Sequence, residues 1–381
     1  MNNSAQFEVN IDCLNNNINK LFNHFSDYKY KIADLRNNAF GMGIYVIKYI
    51  ASNNFDYAFT TTLKDAIDLR KYSSDISILI SKSVEEDYIY DAINNNVTLT
   101  VDSLDYLKLI NSLELRDELK IHILINNGAN LNGLNIDELI SAIGIINENK
   151  YIKLEGIYTN ITTYGIEDIN YYQQISNFEK ILANIDTSDL IIHANEPIMY
   201  HKKKDFINGV KFDVSMWGLV QNVNNTFSGT LKKKKIDSMF KSDSFKELSL
   251  DLDIVFAITA IVEKVIDVKK GSLIGRSYTA TDDMKVAIIN AGHKDGITKA
   301  LKVVVVNQSI CNVLTDDIDI MYITAPDNVE IGDKVYLISD YNNIDSVLQN
   351  LKTNRYYLLS ILNTNLKRVY INQNNEEELY Y

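Results

Sequence analysis

Residues 30–43 read YKIADLRNNAFGMG, in which a short apolar run, 30–35, leads into a glycine-containing segment. The length and composition of the run are those of a buried strand. The segment before it, 11–25, has the spacing of one helical face, and Asp12 could cap its start. Its apolar positions are Ile11, Leu14, Ile18, Leu21, Phe22 and Phe25. The chain therefore begins with a predicted helix followed by a predicted buried strand.

The same alternation continues through the first 220 residues. Seven further buried strands are predicted at 57–62, 76–81, 97–101, 119–126, 154–160, 190–193 and 210–217. Amphipathic helical segments between them include 63–71, 86–95, 104–113, 136–146 and 169–185. Strands that alternate with helices favour parallel pairing with helical crossovers. Eight such units close naturally into a TIM-like (β/α)8 barrel, and an open doubly wound sheet is the alternative.

The pattern changes after Gly218. Residues 222–247 are polar and lysine-rich and are typical of a linker or an insertion. Short β-rich runs follow, and a helix is predicted at 345–352. These runs lie at 249–264, 285–289, 301–306, 318–324 and 334–338. We predict a barrel at 11–221, a linker at 222–247 and a smaller, mostly β domain at 248–381, which the strand in 1–10 could join.

Composition excludes several classes of function. A chain of 381 residues with 46% apolar and 23% charged residues is globular and long enough for two domains. A formal net charge of -12 disfavours a nucleic-acid partner. Cys13 and Cys311 are too few for a disulfide framework or a zinc site. No apolar run is long enough for a membrane span and the first residues hold no secretory signal, so we expect a cytoplasmic protein.

The residues just after the first strand carry a family resemblance. Residues 35–43, LRNNAFGMG, resemble the V-K-A-N-A-Y-G-H-G signature of alanine racemases, the fold-type III pyridoxal phosphate enzymes. Further segments resemble that family in the same order along nearly the whole chain. They are 60–66, 127–133, 156–163, 193–196, 210–218, 274–280, 286–296 and 356–370. The resemblance implies the alanine racemase fold, and a dimer in which each site is built from two chains.

The two acid/base groups that the resemblance implies are both replaced. Arg36 stands at the position of the lysine that forms a Schiff base with the cofactor, and Ile274 stands at the position of the catalytic tyrosine. A guanidinium stays protonated and is no nucleophile for an aldehyde, and isoleucine has no proton to give. We therefore expect no catalytic residue at either position.

The cofactor cradle that the resemblance implies is also altered. Phe40 replaces its phosphate-binding tyrosine, while Glu196 and Asp213 place two carboxylates at a site for a phosphate dianion, where each would cost a few kcal/mol. Lys211 replaces the arginine on the pyridine nitrogen. The candidate ligand-binding residues are Arg36, Phe40, Asn160, His193, Asn195, Glu196, Lys211, Asp213, His293, Asp317 and Tyr356. No metal site is predicted.

Three functional hypotheses follow. The first is a catalytically inactive homologue with a binding, scaffold or regulatory role, without pyridoxal phosphate, as a homodimer or as a heterodimer with a catalytic paralogue. The second is a pyridoxal phosphate-dependent alanine racemase that supplies D-alanine for the cell wall, with Lys211 as a possible relocated Schiff-base lysine. The third is different chemistry, or sensing of a small-molecule ligand, in a pocket with Glu196, Asp213 and His293.

Overall fold

The computed structural model describes residues 5–163, 169–219, 250–296, 301–339, 344–352, 355–361, 366–372 and 376–379. Eight parallel strands form a closed barrel in chain order, so the barrel prediction is confirmed and the open sheet is excluded. The barrel strands are β2 (Tyr30–Asp34), β3 (Tyr57–Thr60), β4 (Ser77–Ile80), β5 (Val97–Val101), β6 (Leu119–Leu124), β7 (Ile152–Thr159), β8 (Ile191–Asn195) and β9 (Gly209–Phe212).

Helices surround the barrel, and all but Ile47–Ser52 overlap helical segments predicted above. The helices are α1 (Ile11–His24), α2 (Ile47–Ser52), α3 (Leu63–Arg70), α4 (Ile89–Asn94), α5 (Leu104–Ser112), α6 (Ile136–Glu148) and α7 (Ile169–Leu182). The predicted cap of α1 was wrong, because the side chain of Asn10, and not that of Asp12, accepts a hydrogen bond from the N–H of Cys13. Capping boxes at Thr62 and Asn135 start α3 and α6.

Alternate residues of the strands fill the barrel interior. Side chains of several strands form an apolar cluster separate from the large core that packs against the helices. The cluster contains Ile32, Tyr57, Phe59, Leu79, Leu124, Tyr158 and Ile191. The interior is therefore packed with side chains, and functional residues of such a barrel are expected at the carboxyl ends of its strands.

The last barrel strand is shorter than predicted. The sequence predicts a strand over 210–217, but β9 ends at Phe212, and Val214–Trp217 form a short 3-10 helix that ends at Gly218 with φ of 77°. Carboxylates bind the backbone N–H groups of residues 213–215, as described below, so these groups are not available to a neighbouring strand.

The second domain is a nine-stranded sheet, ordered β13-β16-β15-β14-β17-β10-β1-β18-β19, with β13 also pairing with β10. Its strands are β1 (Gln6–Asn10), β10 (Phe256–Val268), β13 (Met284–Ile289), β14 (Val303–Val306), β15 (Ser309–Asp316), β16 (Met321–Thr324), β17 (Lys334–Ile338), β18 (Lys367–Ile371) and β19 (Glu376–Leu379). A small hairpin of β11 (Leu273–Ile274) and β12 (Tyr278–Thr279) and the helices α8 (Ile344–Leu351) and α9 (Arg355–Ile361) complete it. The predicted linker 222–247 lies outside the described residues.

β15 and four further strands of the second domain, β11, β12, β18 and β19, were not predicted, whereas β1 is the strand predicted in residues 1–10. β15 lies between β14 and β16 and pairs with both. β1 comes from the start of the chain and lies between β10 and β18. The start of the chain thus belongs to the second domain, and the chain passes from there into the barrel and later returns.

Candidate active site

Charged side chains of two neighbouring strands meet near the carboxyl end of the barrel. β2 and β9 pair in parallel, with Ile32 opposite Lys211. The Arg36 guanidinium holds the buried Asp34 carboxylate through Nε, at 2.9 and 3.0 Å, and through Nη2, at 2.7 Å. Burial opposes the ionisation of Asp34, but the charges of Arg36 and Lys211 outweigh it and hold its pKa below the usual value. In turn, the Asp34 carboxylate raises the pKa of Arg36.

Lys211 lies inside the barrel and is fully buried. Its Nζ is 3.7 Å from the centre of the Phe59 ring and 3.8 Å from Oδ2 of Asp34. Among the described residues, Nζ has no hydrogen-bond partner. Burial lowers the pKa of Lys211 to about 7, against the opposing effect of Asp34. A sizeable fraction of this amine is therefore neutral near pH 7.

Glu196 and Asp213 form a buried carboxyl pair on the other side of β9. Oε2 of Glu196 accepts hydrogen bonds from the N–H of Asp213 at 2.9 Å, the N–H of Ser215 at 3.1 Å and the Oγ of Ser215 at 2.8 Å. Burial and the Glu196 carboxylate raise the pKa of Asp213 well above its usual value, which favours its neutral form. The raised pKa of Asp213 therefore reduces the negative charge that the sequence suggests for this pair.

His193 belongs to a histidine pair in the barrel interior. Its Nε2 lies 3.0 Å from Nδ1 of His122, and its ring stacks on Tyr158 at a centroid distance of 4.8 Å. Both rings are buried, and burial lowers the pKa of His122 to about 4 and that of His193 well below its usual value. Two neutral imidazoles, one donating to the other, explain the arrangement. His193 is thus part of the packed interior, and His122, which the sequence does not single out, is its partner.

Phe40 lies in an unusual backbone segment. Residues 37–40 all have φ between 52° and 55°, which makes a left-handed turn between β2 and the glycines at 41 and 43. Such a conformation costs about 1–2 kcal/mol for each non-glycine residue, so surrounding contacts must hold it. Asn38 supplies one of these contacts, because its Oδ1 accepts the N–H of Ile44 at 2.9 Å. The Phe40 side chain is buried.

Asn195, at the end of β8, and Asn160, just after β7, both take part in hydrogen bonds between neighbouring loops. The side-chain amide of Asn195 bonds both the N–H and the C=O of Ile161, at 2.7 and 3.1 Å. The backbone oxygen of Asn160 accepts a bond from Asn127. Asn195 therefore fixes the backbone that follows β7.

The remaining candidates lie in the second domain. Ile274 is buried in an apolar cluster with Ala280 and Val286. His293 pairs with Asp316 at 2.8 Å, and Asp317 pairs with Arg276 at 2.9 Å. Tyr356 lies on α9, and its side chain is outside the described residues. The structure thus brings together Arg36, Lys211, Glu196 and Asp213, and it adds Asp34 and Ser215, which the sequence analysis missed. Asp34 could have been identified from the sequence, because it is a charged residue inside the apolar run 30–35.

The whole chain resembles known racemases. It matches the alanine racemase N-terminal domain family over residues 9–196 and the alanine racemase C-terminal domain family over residues 255–370. The chain belongs to the alanine racemase family. It is 27% identical to the alanine racemase of Borreliella burgdorferi, with 95% of this chain and 96% of that protein covered. It is 28% identical to the alanine racemase of Streptococcus agalactiae, with 95% and 97% covered.

Solved structures show the same fold. The alanine racemase of Clostridium difficile superposes with a TM-score of 0.84 at 21% identity, over 99% of this chain and 98% of that one. A histidine racemase from Leuconostoc mesenteroides gives a TM-score of 0.81 at 18% identity, over 97% and 100% of the two chains. At these identities the superpositions establish the fold, so the chemistry of this alanine racemase homologue must be argued from its own side chains.

Those side chains do not fit pyridoxal phosphate, the cofactor that the family implies. Arg36 offers no amine for an imine, and Asp34 holds its guanidinium at two points. The buried N–H groups of Asp213 and Ser215, which could receive a phosphate, already bind the Glu196 carboxylate. Phe40 lacks a hydroxyl. Arg36 therefore lacks the amine, the N–H groups of Asp213 and Ser215 are already bound, and Phe40 lacks the hydroxyl.

Two other classes of site are not found among the described residues. No group of three or more His, Cys, Asp or Glu side chains in that part of the chain could hold a metal ion. No helix within it has the length and hydropathy needed to cross a membrane.

Proposed function

We propose that this alanine racemase homologue does not racemise amino acids with pyridoxal phosphate, and that it acts instead by binding a ligand or a partner subunit. The observation that carries the proposal is Arg36, held by the buried Asp34 at the position of the family's Schiff-base lysine. An imine forms only from a neutral amine, and Asp34 raises the pKa of Arg36 still further, which keeps the guanidinium protonated.

The second acid/base position supports the same proposal. Ile274 replaces the tyrosine and is buried against Ala280 and Val286. An aliphatic side chain can neither donate nor accept a proton, so the opposite face of a substrate would have no catalytic group from this residue. A racemase needs a proton-transfer group on each face, and neither expected group is present.

The test is cofactor trapping. Purified protein is mixed with pyridoxal phosphate, its visible absorption is recorded, and the sample is reduced with borohydride and mapped by peptide mass spectrometry. We expect no visible imine band and no pyridoxyl-lysine, while a catalytic alanine racemase treated in parallel gives both. Any stoichiometric pyridoxyl adduct on a lysine of the wild-type protein would contradict the proposal.

One observation favours a second candidate function. The amine of Lys211 has a pKa of about 7 and no hydrogen-bond partner among the described residues, which are properties of lysines that form imines. If Lys211 had taken over this role, the adduct would map to Lys211 and would be lost in Lys211→Arg. Its complete burial between Phe59 and Asp34 favours the non-catalytic proposal.

Pairing with another subunit is part of the proposal. If sites are built from two chains, as the family resemblance implies, this chain would offer Ile274 to its partner's lysine site. We expect a purified heterodimer with a catalytic alanine racemase to be inactive at both sites, because one site lacks the lysine and the other lacks the tyrosine. Racemase activity equal to half that of the catalytic homodimer or more would rule out this regulatory role.

A further inference from the structure

At the carboxyl end of the barrel, one oxygen of the Glu196 side chain accepts an unusually large number of hydrogen bonds. Three donors converge on Oε2 of Glu196, within 3.1 Å, and come from two residues of the turn after β9. Glu196, Asp213 and Ser215 are each at most 1% exposed. The carboxylate therefore has a built site of its own, closed to solvent.

Backbone N–H groups that point into one concavity form an anion site. In this turn, the N–H groups of Asp213 and Ser215 point to Glu196, while the N–H of Val214 points to Oδ1 of Asp213 at 2.5 Å. Every N–H from 213 to 215 is thus bound by a carboxyl oxygen of this chain. Such donors would otherwise suit the oxygens of a phosphate group.

We propose that Glu196 is an internal anion that occupies this site permanently and thereby excludes the phosphate group of any external ligand. The inference deepens the proposed function and rests on it, because it explains how the former cofactor site is closed at its phosphate end as well as at Arg36. It also gives the turn at residues 213–217 a structural role that no longer depends on a bound ligand.

Charge and covalent geometry both favour the internal occupant. Burial and Glu196 raise the pKa of Asp213, which favours its neutral form and reduces the negative charge beside the Glu196 carboxylate. Glu196 directly follows β8 and starts the 3-10 helix Glu196–Tyr200, with proline in its first turn. Its carboxylate is therefore placed by the fold, whereas a phosphate would have to displace it and then lie beside it.

The test removes the carboxylate and offers inorganic phosphate. In Glu196→Ser the buried donors lose their acceptor, so the thermal midpoint should fall in chloride buffer and rise saturably as phosphate replaces chloride at constant ionic strength. The wild-type protein and the control Glu179→Ser, an exposed position on α7, should show the same midpoint in both buffers. Phosphate bound in equilibrium dialysis should be at least about tenfold tighter in Glu196→Ser than in wild type.

Several outcomes would overturn the inference. Saturable phosphate binding by the wild-type protein would mean that the site is open, and a Glu196→Ser variant with no phosphate response would mean that the donors do not form an anion site. If that variant folds only when refolded with phosphate, the inference is supported. If it folds in neither buffer, Glu196→Gln is the deciding variant. Its amide oxygen keeps the site filled, so phosphate should remain excluded. A thermal midpoint of Glu196→Gln that rises with phosphate would overturn the inference.

The two proposals fail separately. Inorganic phosphate has no aldehyde and cannot form an imine. Its binding to the wild-type protein would therefore contradict the internal-anion inference and would not affect the result of trapping with pyridoxal phosphate. A pyridoxyl-lysine in the wild-type protein would contradict the proposed function, whatever the phosphate measurement shows.

Discussion

Asp34 is the side chain on which the charges of the barrel mouth depend. It is completely buried, it holds Arg36 at two points, and it is 3.8 Å from the Lys211 amine. The Lys211 amine is buried as well, whereas the Arg36 side chain is 38% exposed, so solvent partly compensates the guanidinium. Asp34 is the charge partner of Arg36, which lies two residues after it.

Asp34→Asn should lower the free energy of unfolding by about 1.5–3 kcal/mol, because the partly exposed guanidinium and the buried amine lose their charged partner. Urea denaturation at neutral pH measures this loss. Asp68→Asn is the matched control, since Asp68 pairs at the surface with Lys64 and Lys71 and should cost less than about 1 kcal/mol. Equal losses in the two variants would show that Asp34 does not have this role.

The histidine pair predicts a pH dependence with a definite sign. The pKa of His122 is about 4 when folded, below the value of 6.5 for an ordinary histidine, so the unfolded chain takes up the proton first. Stability from this group is complete above about pH 6.5 and falls by about 3 kcal/mol as the pH drops to about 4. Urea denaturation between pH 7 and about 4.5 should show this loss, and His122→Asn should reduce its slope while the contribution of His193 remains. An unchanged slope in that variant would exclude His122 as the cause.

The sequence predicts single residues well where they follow a motif and poorly where they do not. Arg36, Glu196 and Asp213 were candidates because they lie in segments that resemble the family, and the structure places them near the carboxyl end of the barrel. Asp34 and Ser215 were missed, because only the folded chain shows that one neutralises Arg36 and the other binds Glu196. The raised pKa of Asp213 also required the structure, since it depends on burial and on the proximity of the Glu196 carboxyl group.

Among the elements, the left-handed turn after β2 needs contacts from a distant strand. The guanidinium of Arg368 on β18 donates to the oxygen of Gly41 at 2.9 and 3.1 Å, and the hydroxyl of Tyr370 donates to the oxygen of Met42 at 2.7 Å. Both side chains are buried. The second domain therefore holds the turn that follows the first barrel strand, which short-range sequence patterns could not predict.

Tyr370→Phe should destabilise the protein by about 1–2 kcal/mol, because it leaves the buried oxygen of Met42 without the hydroxyl. Tyr90→Phe is its control, since Tyr90 makes a bond of the same length, 2.7 Å, to the oxygen of Glu114 but lies at the surface. Thermal or urea denaturation of both variants measures the difference. A loss in Tyr370→Phe no larger than that in Tyr90→Phe would show that the contact does not stabilise the turn.

Strand ends show the limit of pattern-based prediction at this scale. Apolar runs placed all eight barrel strands, but the run 210–217 continues in sequence after β9 has ended at Phe212. Hydrophobicity alone does not distinguish a strand from a buried 3-10 turn. β15 was missed for the converse reason, because polar residues such as Asn312 and an exposed Ile310 obscure its alternation.

At the scale of the whole molecule, the two domains are interleaved. β1 precedes the barrel in the chain, yet it pairs antiparallel with β10 and parallel with β18 in the second domain. Its Phe7 and Val9 are completely buried. At the barrel end, the Asn17 side chain on α1 bonds the backbone of Met216 and both backbone groups of Asp253. The sequence suggested that the first strand could join the second domain, but its central position depends on pairing over more than 240 residues.

This interleaving predicts that the second domain cannot fold without the start of the chain. A fragment of residues 248–381 lacks β1, so β10 and β18 lose their shared partner, and the apolar surface that Phe7 and Val9 cover becomes exposed. We expect the fragment to show poor amide dispersion by NMR and no cooperative thermal transition, whereas the full chain unfolds cooperatively. A matched control, in which a flexible linker joins residues 5–10 to the fragment, should regain a cooperative transition. A well-dispersed spectrum from the fragment alone would show that β1 is dispensable and that the domains fold independently.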